Sequence, residues 1–281
     1  MTIFADLALA RRLERPEAIF GARFVEARSR LTPGSGAEWV EVAGAYAMFD
    51  GPASPVTQTF GLGLYAPLAA ADLDRIETFF QERGAPAIHE VSPLAGLAVT
   101  DLLCPRGYRP LEFTSVMYQP LEQWAPAQAA PNVRLQTRVV ADGEQDLWAR
   151  TSARGWSTHP EFADLLFSFG QVTASSEGSL SFFAHLEGEP VATGVLCCYQ
   201  GVALLAGAST IPEARNPGAQ RALLDARMKM ATSLGCDLAM MCAEPGSTSQ
   251  RNAERQGFRI AYTRIKWQLP VGQTVLLPAP D

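Results

Sequence analysis

Residues 209–237 have the sequence STIPEARNPGAQRALLDARMKMATSLGCD, in which a segment of turn-forming residues opens into a long amphipathic run. The apolar residues of that run have the spacing of one helix face, which predicts a helix that continues to Leu234. The first N–H groups of a helix have no intrahelical partner and lie at the positive end of its dipole. With Gly218 in the first turn and Arg215 and Arg221 nearby, the segment predicts a phosphate or pyrophosphate site.

The same glycine is also compatible with an ordinary strand–turn–helix connection, in which Pro217 and Gly218 only form the turn. The order of the surrounding elements therefore carries more information than the loop alone. The predicted elements of the second half are a strand (133–140), two helices (145–153 and 161–174), a hairpin with its turn at Glu187–Gly188–Glu189, a strand (202–211), the helix of the opening segment, a strand (237–243), a short helix (247–255) and a last strand (259–269).

The first half has its own succession of patterns. Helical periodicity runs from Thr2 to about Leu31, and Pro16 predicts its division into two helices. Two strands (37–49 and 56–65), a helix (68–83), a strand (86–91), a helix (93–103) and a strand (106–121) follow. The segment 122–132 is rich in Pro and Ala without apolar periodicity, which predicts a boundary between domains 1–124 and 125–281.

A shift of about 150 residues relates the two halves. It places Gly257-Phe258-Arg259 on Gly107-Tyr108-Arg109. The helix positions that it matches are Ala69 with Ala219, Leu73 with Leu223, Ile76 with Ala226, and Phe80 with Met230. The agreement predicts a duplicated α/β unit, whose first copy lacks both the glycine loop and a strand of the hairpin.

Composition disfavours several classes of function. The formal charge of −6 and the pI near 5.2 disfavour nucleic acid as a partner, because nucleic-acid binding draws on a surplus of Lys and Arg. No apolar run reaches the length of a membrane span and no secretory signal is present, which predicts a soluble cytoplasmic protein. The five cysteines form neither a CxxC pair nor a zinc-site spacing, which predicts buried free thiols and no metal.

The succession of elements from residue 132 to residue 269 resembles the GNAT N-acetyltransferase superfamily. The loop of that family reads Gln/Arg, two residues, Gly, one residue, Gly/Ala, and here Arg215 to Gln220 reads RNPGAQ, followed by RALL. The segment AERQGFRIAYTR, from Ala253, is the second point of resemblance. The resemblance implies an α/β (α+β) fold of two tandem GNAT-like units, each with a mixed, mostly antiparallel sheet flanked by helices, the first unit being degenerate.

The resemblance also implies that acetyl-CoA is the cofactor. Its pyrophosphate would lie on the backbone amides of Asn216, Gly218, Ala219, Gln220 and Arg221, and its pantetheine along Ser209, Thr210 and Ile211. Arg215 and Asn252 complete the predicted cofactor-binding residues. Pro217 has no N–H to donate, and the side chain of Gln220, at the family's last Gly/Ala position, could reach a phosphate oxygen.

The predicted catalytic residues are Glu244, His159 and Ser249. The tyrosine that commonly protonates the leaving thiolate in this family falls on Ala253 here, which leaves Ser249 and Asn252 as weaker donors. The alternative for Ser249 is a helix-end hydrogen bond. Glu244 is a candidate base or a solvated strand end. His159 is a candidate base or a helix cap before Pro160.

These residues predict an acetyl-CoA-dependent N-acyltransferase that transfers an acetyl group to an amine of a small molecule or peptide by direct attack. A catalytically inactive acyl-CoA-binding or sensor protein is the alternative, and an interaction scaffold with an empty loop is a third. The protein is expected to be a monomer or a homodimer. The sequence does not identify the acceptor amine.

Overall fold

The computed structural model describes residues 3–125, 134–156, 163–215 and 218–270. The first stretch contains α1 (Leu7–Leu31), β1 (Glu38–Val42), β2 (Ala45–Phe49), β3 (Gln58–Phe60), α2 (Ala70–Gln81), β4 (Ile88–Val91), α3 (Leu97–Leu103) and β5 (Arg109–Pro120). The later stretches contain β6 (Leu135–Val139), α4 (Gln145–Arg154), α5 (Ala163–Ala174), β7 (Ser179–Leu186), β8 (Glu189–Tyr199), β9 (Val202–Thr210), α6 (Ala219–Ser233), β10 (Leu238–Ala243), α7 (Thr248–Arg255) and β11 (Arg259–Gln268). The element order predicted for the second half is confirmed.

The described chain forms two compact units. Unit 1 contains the residues up to Val116, residues 243–252 and the residues from Ile260 onward. Unit 2 contains residues 117–242 and 253–259. The chain therefore returns to unit 1 for most of β11, its last strand. The division of the sequence between residues 124 and 125 stays a prediction.

Unit 2 contains a mixed sheet with the strand order β10-β9-β8-β7-β6. The strands from β6 to β9 pair antiparallel in succession, and β9 pairs with β10 in parallel. Helix α6 packs on β6 to β9, and α4 packs on β8 and β9. Trp148 of α4 is buried, and its indole N–H donates to the carbonyl of Phe182 at 3.0 Å. This bond fixes α4 against the sheet while satisfying a buried donor.

Unit 1 has the strand order β1-β2-β3-β4-β11-β5. Strand β11 pairs antiparallel with β4, and β3 pairs with β4 in parallel. Leu73, Ile76 and Phe80 of α2 lie in one buried apolar cluster with Trp267 of β11. Their spacing of three and four residues places them on a single face of α2, as the sequence predicts.

The predicted duplication is confirmed in the order of the elements. Helices α2 and α6 begin 149 residues apart, whereas β4 and β10, and β5 and β11, begin 150 residues apart. The parallel pair β3–β4 of the first half corresponds to the parallel pair β9–β10 of the second half. The repeat in the sequence therefore corresponds to a repeat in the secondary structure.

One prediction for the first half is corrected at Pro16, because a single helix, α1, runs through this residue. Proline inside a helix removes one hydrogen bond and crowds the preceding turn, at a cost of about 3 kcal/mol. Helix α1 buries Leu9, Leu13 and Val25 among other apolar residues. Because tertiary packing supplies most of the stability of a helix in a protein, this burial offsets the cost of the proline.

A second correction concerns residues 37–49, which form a hairpin rather than one strand. Strands β1 and β2 pair antiparallel, and the turn residues Ala43 and Gly44 have φ angles of 50° and 78°. Positive φ at both turn positions suits the twist of a two-residue hairpin. The prediction that the first half lacks a hairpin strand is therefore wrong. The turn was missed because Ala-Gly is a weaker turn signal than Asn-Gly.

The prediction of buried free thiols is confirmed for only some of the cysteines. All five are free; Cys197 and Cys236 are buried, and Cys198 and Cys242 are partly buried. Cys104 is exposed, against the prediction. It follows the last turn of α3, where an apolar run in the sequence does not by itself determine which side faces solvent.

Candidate active site

The two parallel strands of unit 2 pair over only part of their length. Strand β9 pairs with β10 from Val202 to Leu204, opposite Leu238 to Met240. Both strands continue past this point, but among the residues that the structure describes they no longer pair with each other there. Because ladder hydrogen bonds are then missing, backbone N–H and C=O groups along the second part of β9 are available to a ligand.

Strand β9 also has a β-bulge next to the opening, which is the stretch where β9 and β10 no longer pair. Thr193 of β8 lies opposite Ser209, whereas Val195 lies opposite Ala206, so that β9 has one extra residue in between. The bulge falls at Gly207, which has a φ of 58° and is exposed. A Cβ at this position would lie 2.9 Å from Cγ2 of Val195. Glycine is therefore required both for the backbone angle and for the close packing.

The α-helix that follows β9 along the chain begins at a glycine. Gly218 is the N-cap of α6, with φ 93° and ψ 11°, so no side chain caps the helix, and its first turn contains no acidic residue. A Cβ on Gly218 would meet only Cδ1 of Leu135, at 3.8 Å. The backbone angle, rather than a lack of space, thus calls for glycine. The N-terminus of α6 suits an anion.

The equivalent helix of unit 1 lacks this property. The carboxylate of Asp72, in the first turn of α2, accepts a hydrogen bond from the N–H of Ala69 at 3.1 Å. The negative charge and the satisfied donor both disfavour an anion there. The first half was predicted to lack the loop, and the capping of α2 is consistent with that prediction.

Side chains of the predicted loop are engaged within unit 2. The amide nitrogen Nε2 of Gln220 donates to the carbonyl of Ser209 at 2.9 Å and to Oγ1 of Thr210 at 2.6 Å. The guanidinium of Arg215 donates to the carbonyl of Gly155 at 3.0 Å. Arg221 lies 3.4 Å from Asp225. The backbone amides of Gly218, Ala219, Gln220 and Arg221 are therefore better placed than these side chains to hold a phosphate.

The end of β9 packs tightly on the end of α4. Ser209 is buried, and its hydroxyl donates to the carbonyl of Ser152 at 2.8 Å. The N–H of Ile211 donates to the carbonyl of Val191 at 3.0 Å. A Cβ on Gly155 would lie 1.7 Å from Oγ of Ser209. Gly155 thus permits the close approach of α4 to the strand, a role that sequence analysis missed.

The predicted catalytic residues after β10 are all exposed. Glu244 directly follows β10 and is exposed. Ser247 caps α7, since its Oγ accepts from the N–H of Gln250 at 3.1 Å. Ser249 and Asn252 lie exposed on α7, and the Ser249 hydroxyl has no hydrogen bond among the described residues. His159 and Asn216 lie outside the described residues.

Ala253, at the position of the family's general acid, is 3% exposed. Its carbonyl accepts hydrogen bonds from the N–H groups of Gln256 and Phe258, at 2.9 and 3.1 Å. The methyl group at this position is thus part of the packing of α7.

Two thiols of unit 2, those of Cys198 and Cys236, are not poised as nucleophiles. Burial raises the pKa of Cys198 to about 12 and also raises the pKa of Cys236. A thiol must be ionised to react as a nucleophile, so both are inert at neutral pH. Within the described ranges, no cluster of His, Cys, Asp or Glu could hold a metal ion. None of the described helices has the length and apolar character needed to cross a membrane.

No protein-family model matches the sequence, and no curated protein matches it. Solved structures, by contrast, match the fold. A GCN5-related N-acetyltransferase from Kribbella flavida is 17% identical with a TM-score of 0.63, over 91% of this chain and 96% of that one. Another from Sphaerobacter thermophilus is 19% identical with a TM-score of 0.54, over 75% and 71% of the two chains.

A tandem GNAT protein from the clavulanic acid biosynthesis pathway, whose structure was determined without acetyl-CoA, also matches. It is 11% identical with a TM-score of 0.55, over 81% of this chain and 74% of that one. The predicted fold class is confirmed, including the large, mostly antiparallel sheet flanked by helices. The chain has the fold of the GCN5-related N-acetyltransferases.

Proposed function

We propose that this protein is an acetyl-CoA-dependent N-acyltransferase that acts on an amine of a small molecule or peptide. The observation that carries the proposal is the arrangement in unit 2 of an opening beside β9, a backbone bulge at that opening, and the N-terminus of α6, the next α-helix along the chain, which no side chain caps. The fold shared with N-acetyltransferases supports the same reaction class.

Two parts of unit 2 would hold the acyl donor. The backbone amides of the first turn of α6 suit the pyrophosphate, because a helix N-terminus favours negative charge. The backbone at the end of β9 and just after it, from Ser209 to Ile211, suits the amides of pantetheine, apart from the N–H of Ile211, which donates to the carbonyl of Val191. Both features are present without a side chain at Gly218 that would cover the helix end.

Acetyl-CoA supplies a thioester, whose carbonyl carbon bonds to the amine nitrogen while its C–S bond breaks and CoA leaves as a thiolate. Backbone N–H groups at the bulge of β9 are the proposed donors to the carbonyl oxygen, which gains negative charge during the attack. Glu244, an exposed carboxylate, is the proposed base for the proton lost by the amine. Ser249 or solvent is the proposed proton donor to the thiolate.

A second function is a catalytically inactive acyl-CoA-binding or sensor protein. The buried methyl group of Ala253 favours it, since the family's usual proton donor is then missing. Such a protein would bind acetyl-CoA by the same amides of α6 without transferring the acetyl group.

The thermal midpoint of the purified protein with and without acetyl-CoA tests both functions. At about 100 times the dissociation constant, the ligand adds roughly 2.7 kcal/mol to the free energy of unfolding. We expect a rise in the midpoint of several degrees. No rise at millimolar acetyl-CoA would exclude both functions.

A panel of amines then separates enzyme from sensor. Release of CoA thiol that depends on the added amine supports the acyltransferase. Binding without amine-dependent release, over small-molecule and peptide amines, supports the sensor instead.

A further inference from the structure

Helix α6 carries a buried arginine that the reaction outlined above does not use. Arg227 is 2% exposed, and its Nε donates to the carbonyl of Leu223 at 3.2 Å. Its Nη1 donates to two further carbonyls, those of Val195 and Ala206, both at 3.2 Å. Val195 of β8 and Ala206 of β9 lie directly opposite each other. One nitrogen therefore bridges the two strands.

The burial of this cation has no counter-charge to explain it. No carboxylate among the described residues pairs with Arg227, and three backbone carbonyls are its acceptors. Burial lowers the pKa of Arg227 to about 10, so the guanidinium remains charged at neutral pH. A buried charge without an opposite charge is costly. An apolar side chain would stabilise this core at least as well. This points to a role for Arg227 in positioning the backbone groups that it contacts.

The carbonyls that Arg227 holds adjoin the bulge. Gly207, the bulge residue, directly follows Ala206. Gly194 lies in β8 next to Val195, where a Cβ would lie 2.9 Å from Cζ of Arg227. Glycine at position 194 thus leaves the space that the guanidinium fills.

The bond to Ala206 also sets the direction of one N–H group. The C=O of Ala206 and the N–H of Gly207 belong to the same trans peptide group and point in opposite directions. The C=O points to the guanidinium that also holds β8. The N–H of Gly207 therefore points away from the guanidinium.

We propose that Arg227 is a positioning residue for acetyl transfer, because it fixes the Gly207 N–H as the donor to the carbonyl oxygen of the acyl group. The proposal rests on the acyltransferase function. Arg227 touches neither substrate, so its removal changes the rate of the chemical step and leaves acetyl-CoA binding intact.

The kinetic test uses four variants of the full chain. We expect Arg227→Met to lower kcat about 10- to 100-fold with KM for acetyl-CoA changed less than about three-fold, since one oriented donor is lost. Arg227→Lys keeps the charge and should recover part of the rate. Gly194→Ala should lower kcat by displacing an intact guanidinium. Lys229→Met, at an exposed position of the same helix, is the control and should match the wild type.

A second readout does not depend on activity. In ¹⁵N-labelled protein, the Gly207 amide signal should shift and exchange faster with solvent in Arg227→Met and in Gly194→Ala, but not in Lys229→Met. If the wild type transfers no acetyl group, the proposed function fails, and the assignment of Arg227 to catalysis fails with it. The Gly207 amide signal would then still show whether Arg227 orients the bulge. If Arg227→Met does not fold, Gly194→Ala and Arg227→Lys carry both readouts. An unchanged kcat, or an unchanged Gly207 signal, in the folded variants would overturn the proposal.

Discussion

The side-chain amide of Gln220 donates a hydrogen bond to the backbone carbonyl of Ser209, with 2.9 Å between Nε2 and O. One side chain thus ties the first turn of α6 to the end of β9. The carbonyl of Ser209 is also one of the acceptors that a ligand lying along β9 would use. The hydrogen bond from Gln220 therefore stabilises the loop and also occupies a carbonyl that a ligand along β9 would use.

We expect Gln220→Ala to lower the free energy of unfolding by about 0.5–1.5 kcal/mol, the usual net contribution of an intramolecular hydrogen bond. Urea unfolding monitored by fluorescence measures the change. Lys229→Ala, exposed on the same helix, is the control. If Gln220→Ala is as stable as this control, the bond does not hold the loop in solution.

Two glycines at positive φ allow a matched test of the loop. Gly218 has a φ of 93° and Gly84, at the end of α2, a φ of 64°, and a Cβ would fit sterically at both. We expect each change to alanine to cost about 1–2 kcal/mol of stability, because an L-residue is strained in this region. Only Gly218→Ala should weaken acetyl-CoA binding, since it reorients the amides of α6. Calorimetric titration that finds equal affinities for the two variants would remove the loop from the binding site.

The proposed base can be tested at Glu244. We expect Glu244→Gln to lower kcat by about 10²- to 10⁴-fold, the usual contribution of a positioned acid or base. The thermal midpoint should not change, because the side chain is exposed. Glu177→Gln, also exposed, serves as the control. A fully active Glu244→Gln variant would leave solvent as the proton acceptor.

A buried histidine in unit 1 predicts sensitivity to acid. Burial lowers the pKa of His89 from 6.5 to about 3, and its Nε2 lies 2.8 Å from the hydroxyl of Tyr108. The unfolded chain binds this proton more readily than the folded chain. His89 therefore contributes stability above pH 6.5 that is lost as the pH falls toward 3, by at most about 1.4 kcal/mol per pH unit.

His89→Leu removes this titration. Urea unfolding at pH 7 and pH 5 should show a smaller loss of stability in the variant than in the wild type. Equal losses in the two proteins would mean that His89 is accessible to protons in the folded state.

The buried ion cluster of unit 1 predicts the opposite dependence on pH. Arg264 lies 3.2 Å from Glu14 and 2.9 Å from Glu90, and it also pairs with Glu17. Burial raises the pKa of Glu14 from 4.5 to about 7. The folded chain thus holds this proton more readily, and the stability that it contributes is lost as the pH rises from 4.5 toward 7.

We expect Arg264→Met to destabilise the protein by about 3–5 kcal/mol at pH 7, because it leaves buried carboxylates without a counter-charge. The loss should shrink at pH 5, because the raised pKa of Glu14 keeps that carboxyl protonated in the folded chain. Arg134→Met is the control, since Arg134 pairs with Glu187 at an exposed position and its loss should cost no more than about 1 kcal/mol. A loss for Arg264→Met that does not depend on pH would contradict the assignment of charge in this cluster.

The sequence alone determined the order of the elements in the second half and the duplication of the chain. Apolar spacing located α6, and the shift of about 150 residues found the matching Gly-aromatic-Arg triplets. These signals are local, since periodicity and turn residues act on the chain within a few residues of themselves. The sequence also identified the glycine of the loop, Gly218. This residue is the N-cap of α6 and has a positive φ, which favours glycine.

The tertiary structure decided which groups are free and which are engaged. Gln220 and Arg215 were predicted to face a phosphate, yet both donate to backbone carbonyls of unit 2. The burial of Arg227 and the bulge at Gly207 depend on β8, β9 and α6 meeting at one point, although Gly207 inside a strand pattern was a faint signal of a bulge. The physical reason is that burial and hydrogen bonding between residues distant in the chain follow from packing, which local patterns do not specify.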